Sequence, residues 1–161
     1  MILYHGSNTS VEEPKISVSD RRLDFGSGFY MTSSFEQAER WADHTMQRRK
    51  NGMPTVSVYT LPDNFKDLLN VKFFPEPNEE WLHFVVANCR RTLIQRNYDL
   101  ICGGVANDKV FNTLELFFAG LIPEEEALNR LKYEKPNKQI CICKQELLDQ
   151  LLHFESSEEI L

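Results

Sequence analysis

Apolar positions change their spacing repeatedly along the 161-residue chain, and each change predicts an element. The opening ILYH is a short apolar run ending in polar residues, which reads as a first strand. Gly6 to Gly28 is then a long polar connection of turn formers, a length that in compact domains is often functional. FYMT has strand propensity. Ser34 as N-cap with Gln37 three residues on predicts a capping box. Phe35, Ala38, Trp41 and Ala42 follow on one helical face, and Asn51-Gly52 ends that helix. TVSVYTL alternates as a strand, after which Pro62, Pro75 and Pro77 punctuate an irregular middle.

From Glu79 to Arg96 the set Leu82, Val85, Val86, Cys89 and Leu93 recurs at helical spacing, predicting an amphipathic helix. YDLICGG reads as a buried strand stopped by Gly103-Gly104. Phe111 to Ala119 reads as a helix closed by Gly120, and Pro123 with Glu124, Glu125 and Glu126 opens another. KQICIC predicts a strand, KQELLDQLL a short helix, and HFESSEEIL a tail that adds an edge strand. Strands and helices mix without regular β-α-β alternation, so the expected class is α+β, in one domain spanning 1–161.

Charge and composition narrow the function classes. The net charge of −6 argues against indiscriminate gripping of nucleic-acid phosphates, and Arg48-Arg49-Lys50 and Arg90-Arg91 read as solvated helix faces. No apolar run reaches the roughly 18 residues of a membrane span. The opening five residues lack the basic start and apolar stretch of a signal peptide, so the expectation is a cytoplasmic protein with no membrane partner. Cys141 and Cys143 alternate in a strand-like run, and the four cysteines are expected to be buried free thiols.

Three segments carry candidate chemistry. In LYHGSN, Gly6 after His5 lets the main chain approach a flat ligand, and its N–H and C=O match the carboxamide of nicotinamide, with Ser7 beside them. In DFGSGFYMT, Gly26 and Gly28 allow a tight entry into the strand. Phe29 and Tyr30 then point to opposite faces, and Thr32 finishes the strand. Trp41, eleven residues after Tyr30, is placed to close on the same cleft and sandwich a planar ring, or else to join the core. In NKQICI, Gln139 offers a donor and an acceptor to a sugar hydroxyl, or sits as a solvent-facing edge residue.

Taken in order, YHGS, GFYMT and NKQICI resemble the three strand motifs of the ADP-ribosyltransferase superfamily. The branch is that of diphtheria toxin and the poly(ADP-ribose) polymerases, built on His, Tyr and usually Glu. The longer stretches DFGSGFYMTSSFEQAERWA and YDLICGGVANDKVFNTLELFFAG are similar to a family of small stand-alone bacterial proteins in that clan.

The resemblance implies a split β-sheet with an NAD cleft and flanking helices. It implies transfer of ADP-ribose from NAD, as co-substrate, to a protein or nucleic-acid acceptor. It implies His5, Gly6, Ser7, Gly28, Phe29, Tyr30, Thr32 and Trp41 as NAD-binding residues, with Tyr30 and Gln139 as catalytic ones and no metal. By analogy alone it suggests a toxin beside a small antitoxin-like partner. Gln139 stands where the family has Glu, so the carboxylate that steadies the developing ribose cation is missing there. Asp108 and Glu115 are the acids considered in its place. The alternative is a module that holds NAD or ADP-ribose without turnover. A hydrolase built on Ser7, His5 and Asp24 is poorly supported, because Ser7 lacks a strand-turn-helix elbow. An RNA 2′-phosphotransferase lacks the expected basic cluster.

Overall fold

Backbone pairing divides the strands into two sheets. A computed structural model describes residues 1–16, 23–89, 97–105, 108–134 and 137–161. Among them the first sheet orders β1 (Ile2–Ser7), β3 (Thr55–Thr60) and β7 (His153–Glu159), antiparallel throughout. The second orders β2 (Phe29–Met31), β6 (Lys138–Ile142), β5 (Leu100–Gly104) and β4 (Val71–Phe73), with the β4–β5 pair parallel. The helices are α1 (Phe35–Arg49), α2 (Phe65–Leu68), α3 (Glu79–Cys89), α4 (Asp108–Phe118), α5 (Glu124–Glu134) and α6 (Gln145–Leu151). The expected α+β class is observed, and no helix among the described residues is long and apolar enough to cross a membrane.

Alternation along the strands builds two cores, because successive side chains leave opposite faces of a sheet. Leu3 and Tyr59 of the first sheet meet Phe29, Met31, Ile140 and Ile142 of the second in one cluster. The opposite face of the second sheet, with Ile101 and Cys141, packs against Trp81, Val85, Leu114 and Leu131 of the helices. Phe25, from the segment before β2, is fully buried in that second cluster.

Several expectations need correction. The irregular middle contains α2 and β4, and β4 pairs in parallel with β5. Three residues are too few for a readable alternation, and their partner lies far along the chain. The helix from Glu79 is described to Cys89, while Arg90, Arg91 and Leu93 lie outside the described residues. The helix expected from Phe111 starts earlier, at Asp108. The capping box is half formed. Ser34 Oγ accepts from the Gln37 N–H at 3.3 Å, but the Gln37 side chain donates instead to the Lys138 carbonyl at 3.4 Å. The Ser34 N–H is satisfied by Thr32 Oγ1 at 3.1 Å.

Candidate functional site

The main chains of the two sheets pair at one isolated antiparallel bridge among the described residues, Tyr4 to Thr32. Tyr4 N–H donates to Thr32 O at 2.8 Å and Thr32 N–H to Tyr4 O at 2.9 Å. In such a ladder the next mutually bonded pair lies two residues along each strand, which would be Gly6 with Tyr30. That pair does not form. Instead His5 Nδ1 bonds the Tyr30 carbonyl at 2.7 Å. The side chain has taken the acceptor that would have continued the ladder, and the sheets part at this point.

Gly6, a buried residue, follows His5 just beyond that bond. Its N–H and C=O share the direction of those of Tyr4, because backbone groups alternate, and therefore face away from β3. No strand residue among those described pairs with them there. The other side of Gly6 is filled by α1: a Cβ would lie 1.9 Å from the Ala38 carbonyl oxygen and 2.6 Å from the Ala42 nitrogen. Close approach is thus required of Gly6, and the helix is what approaches. Trp41 lies on α1 between Ala38 and Ala42, the two residues seated on Gly6. Trp41 is partly buried and belongs to neither core, so the core role weighed for it is not what the fold provides.

A carbonyl only accepts, so His5 Nδ1 carries the proton and Nε2 keeps its lone pair. Burial, opposed in part by the Tyr30 hydrogen bond and aided by the Arg49 charge, pushes its pKa below the ordinary 6.5. The ring is neutral at physiological pH, stacked on Phe29 with centroids 4.4 Å apart. Since the folded value is the depressed one, the unfolded chain binds more protons below pH 6.5. Stability from this residue is complete above that pH and is lost as pH falls toward the folded value. Urea midpoints at pH 7.5 and 5.5 are expected to converge in His5→Asn, which keeps a donor for Tyr30 and cannot titrate. An unchanged acid sensitivity would assign that loss to other groups.

Tyr30 is held by the turn that precedes it. Its hydroxyl donates to the Gly26 carbonyl at 2.6 Å and accepts from the Phe25 N–H at 3.1 Å. Gly26 closes that turn with φ of 78°, which an L side chain rarely adopts. Burial first, then Cys141 and the Asp24 charge, raise the Tyr30 pKa well above the usual phenol range. Gly28 is needed for contact with β6, since a Cβ there would meet Cys141 Sγ at 2.3 Å. Thr32, almost wholly buried, donates to the Lys138 carbonyl at 3.3 Å. Phe29 is buried and backs His5, and Ser7, also buried, donates weakly to Asn8 Oδ1 at 3.5 Å.

Gln139 is buried at 4% exposure, contrary to a solvent-facing edge residue. It shares a face with Cys141, and hence with Tyr30, which is opposite Cys141 in the register. Its Nε2 donates to Asp24 Oδ2 at 2.9 Å and to the Gly104 carbonyl at 3.3 Å. A carboxylate therefore does stand beside the residue that lacks one, and it is neither acid considered from the sequence. Glu115 is exposed on α4, and the Asp108 side chain lies outside the described residues.

Sequence reasoning also read Gln37 only as a cap. It is 3% exposed, and its Oε1 has no hydrogen bond among the described residues. One turn before Trp41, it is a buried acceptor awaiting a donor. The Ser7, His5 and Asp24 side chains do not form a relay: their bonds run to Asn8, Tyr30 and Gln139.

A family model described as a protein of unknown function, DUF3990, matches residues 1–154. No curated protein and no solved structure matches the chain.

Proposed function

The chain belongs to the DUF3990 protein family, and from the break in main-chain pairing between its two sheets beside Tyr4 and Thr32 we propose that it is an NAD-dependent ADP-ribosyltransferase. The observation carrying this reading is the interrupted ladder: His5 holds the Tyr30 carbonyl, which leaves the buried Gly6 N–H and C=O without a strand partner among the described residues. One donor and one acceptor on the same glycine complement a carboxamide without a side chain in the way. The neutral His5 Nε2 is an acceptor for a ribose hydroxyl, and Tyr30 on β2 and Trp41 on α1 are the aromatic residues assigned to the nicotinamide ring. The orphaned Gln37 Oε1 adds an acceptor in the same neighbourhood.

Bound NAD supplies an ADP-ribosyl group attached to a cationic leaving group, so positive charge develops on the ribose as nicotinamide departs. The protein's part is to grip the carboxamide at Gly6, to shield the ring with aromatic faces, and to hold the ribose with His5 and Gln139. An acceptor nucleophile then bonds the vacated ribose carbon and releases its proton to water.

The test uses the protein's own fluorescence. Of its two tryptophans, Trp81 is fully buried in the helical core. Titration with NAD is expected to quench Trp41, and Trp41→Phe to abolish most of the quenching while shifting the melting temperature little. Nicotinamide release, followed chromatographically, is expected in the wild type and lost in His5→Ala. Absence of both quenching and release would end the reading. Labelled NAD added to a cell lysate with the enzyme then identifies the acceptor fraction.

One observation favours the alternative of a binding module without turnover. Both amide protons of Gln139 are already engaged within the protein. Quenching by NAD with no nicotinamide released over hours would select it.

A further inference from the structure

We propose that Asp24 is the carboxylate of this site, acting through Gln139 as its positioning and charge-supplying partner; the inference rests on the NAD-binding reading above. Gln139 spends its two N–H donors on Asp24 Oδ2 and the Gly104 carbonyl, which fixes the amide plane. Its Oε1 is the end that remains to meet a ligand. A carboxylate bonded to the NH₂ group draws that amide's polarisation toward Oε1, since linked hydrogen bonds strengthen one another. A glutamine so polarised recovers part of the negative character that a glutamate would carry.

The carboxylate is not a passing surface group. The next residue, Phe25, is fully buried, and its ring lies so close to Gly103 that a Cβ there would come within 3.0 Å of it. The Phe25 N–H bonds the Tyr30 hydroxyl, and that hydroxyl bonds Gly26. Asp24 is thereby tied at one end to the tyrosine and at the other to the glutamine. These two residues are the ones expected to face nicotinamide and its ribose. The charge of Asp24 also registers on Tyr30 and on Cys141, both on the Gln139 face of the sheet.

In the reaction the bond between ribose and nicotinamide nitrogen breaks, and its electron pair leaves with neutral nicotinamide. The acceptor forms the new bond to the same ribose carbon and gives its proton to water. Asp24 stays ionised throughout and exchanges no proton. Its contribution is a fixed negative charge aimed, by way of Gln139 Oε1, at where positive charge grows.

The experiment compares NAD⁺ with NADH, whose nicotinamide ring carries no charge. Binding is measured by calorimetry for wild type, Asp24→Asn and Gln139→Met. Asn keeps a carbonyl for the Gln139 N–H and removes the charge. Met keeps volume and removes the relay. The wild type is expected to prefer NAD⁺ by about tenfold, as suits one nearby charge in a partly polar surrounding. Both variants are expected to lose that preference, and Asp24→Asn to slow nicotinamide release on the order of 10²-fold. A preference retained in both variants, or absent from a wild type that binds NAD⁺, overturns the role of Asp24 and leaves the NAD reading standing. A wild type that binds neither nucleotide overturns both.

Discussion

Gln139→Glu is expected to destabilise the protein at pH 8 by about 3–5 kcal/mol, the usual cost of an uncompensated buried charge. The new carboxylate would take the place of an amide that now donates to Asp24 Oδ2 at 2.9 Å. Two ionised carboxylates cannot share that space, so one folded-state pKa rises well above its unfolded value. For an acid raised in this way the fold favours the proton. Stability relative to wild type is then least affected near pH 4 and falls away as pH climbs through the raised value. Urea unfolding at the two pH values reads the effect directly. A midpoint equal to wild type at pH 8 would mean that Asp24 and Gln139 are not in contact.

The same contact changes what a Glu swap would do for the proposed activity. Under the proposed ADP-ribosyltransferase reading, Gln139→Glu would supply the acid usual in the superfamily that the motifs resemble and ought to gain turnover. Beside Asp24 it shares one proton between two acids and adds little net charge. The informative variant is the double one, Asp24→Asn with Gln139→Glu, in which the Asn amide donates to the new carboxylate. It is expected to recover most of the stability that the Glu variant loses.

Gly6→Ala is expected to cost on the order of 3 kcal/mol or more, by forcing backbone against backbone. The added carbon would lie 1.9 Å from the Ala38 carbonyl oxygen and 2.9 Å from its carbon. Neither atom belongs to a side chain that could turn aside, so α1 must slide off β1 or β1 must bend. Because Trp41 rides on that helix, the variant is also expected to move the tryptophan emission maximum at denaturant concentrations where wild type is still folded. Urea curves followed by fluorescence and by circular dichroism check both effects. A wild-type midpoint would show that α1 does not rest on this strand.

Local pattern carried the elements whose causes are local. The α1 start was legible because Ser34 caps an amide three residues away, and the apolar set Leu82, Val85, Val86 and Cys89 marked α3. The strand edge at His5 and Gly6 and the Phe29-Tyr30 pair were legible as candidate site residues for the same reason. What stayed hidden depends on distant partners. β4 is a strand by virtue of β5, about thirty positions along the chain. Asp24 and Gln139 are 115 residues apart, and neither residue type announces the other. Gln37 misled in a different way. Its spacing from Ser34 is that of a capping box, yet reaching β6 satisfies the Lys138 carbonyl, and tertiary contact overrode the local motif.

The Tyr4–Thr32 bridge joins the two sheets by two main-chain bonds, with His5 seated on Phe29 just beyond it. The main chain thus contributes one short seam to the joint between the sheets and no continuous ladder. Side-chain packing of Leu3 and Tyr59 against Phe29, Met31, Ile140 and Ile142 therefore governs how firmly the two sheets stay together.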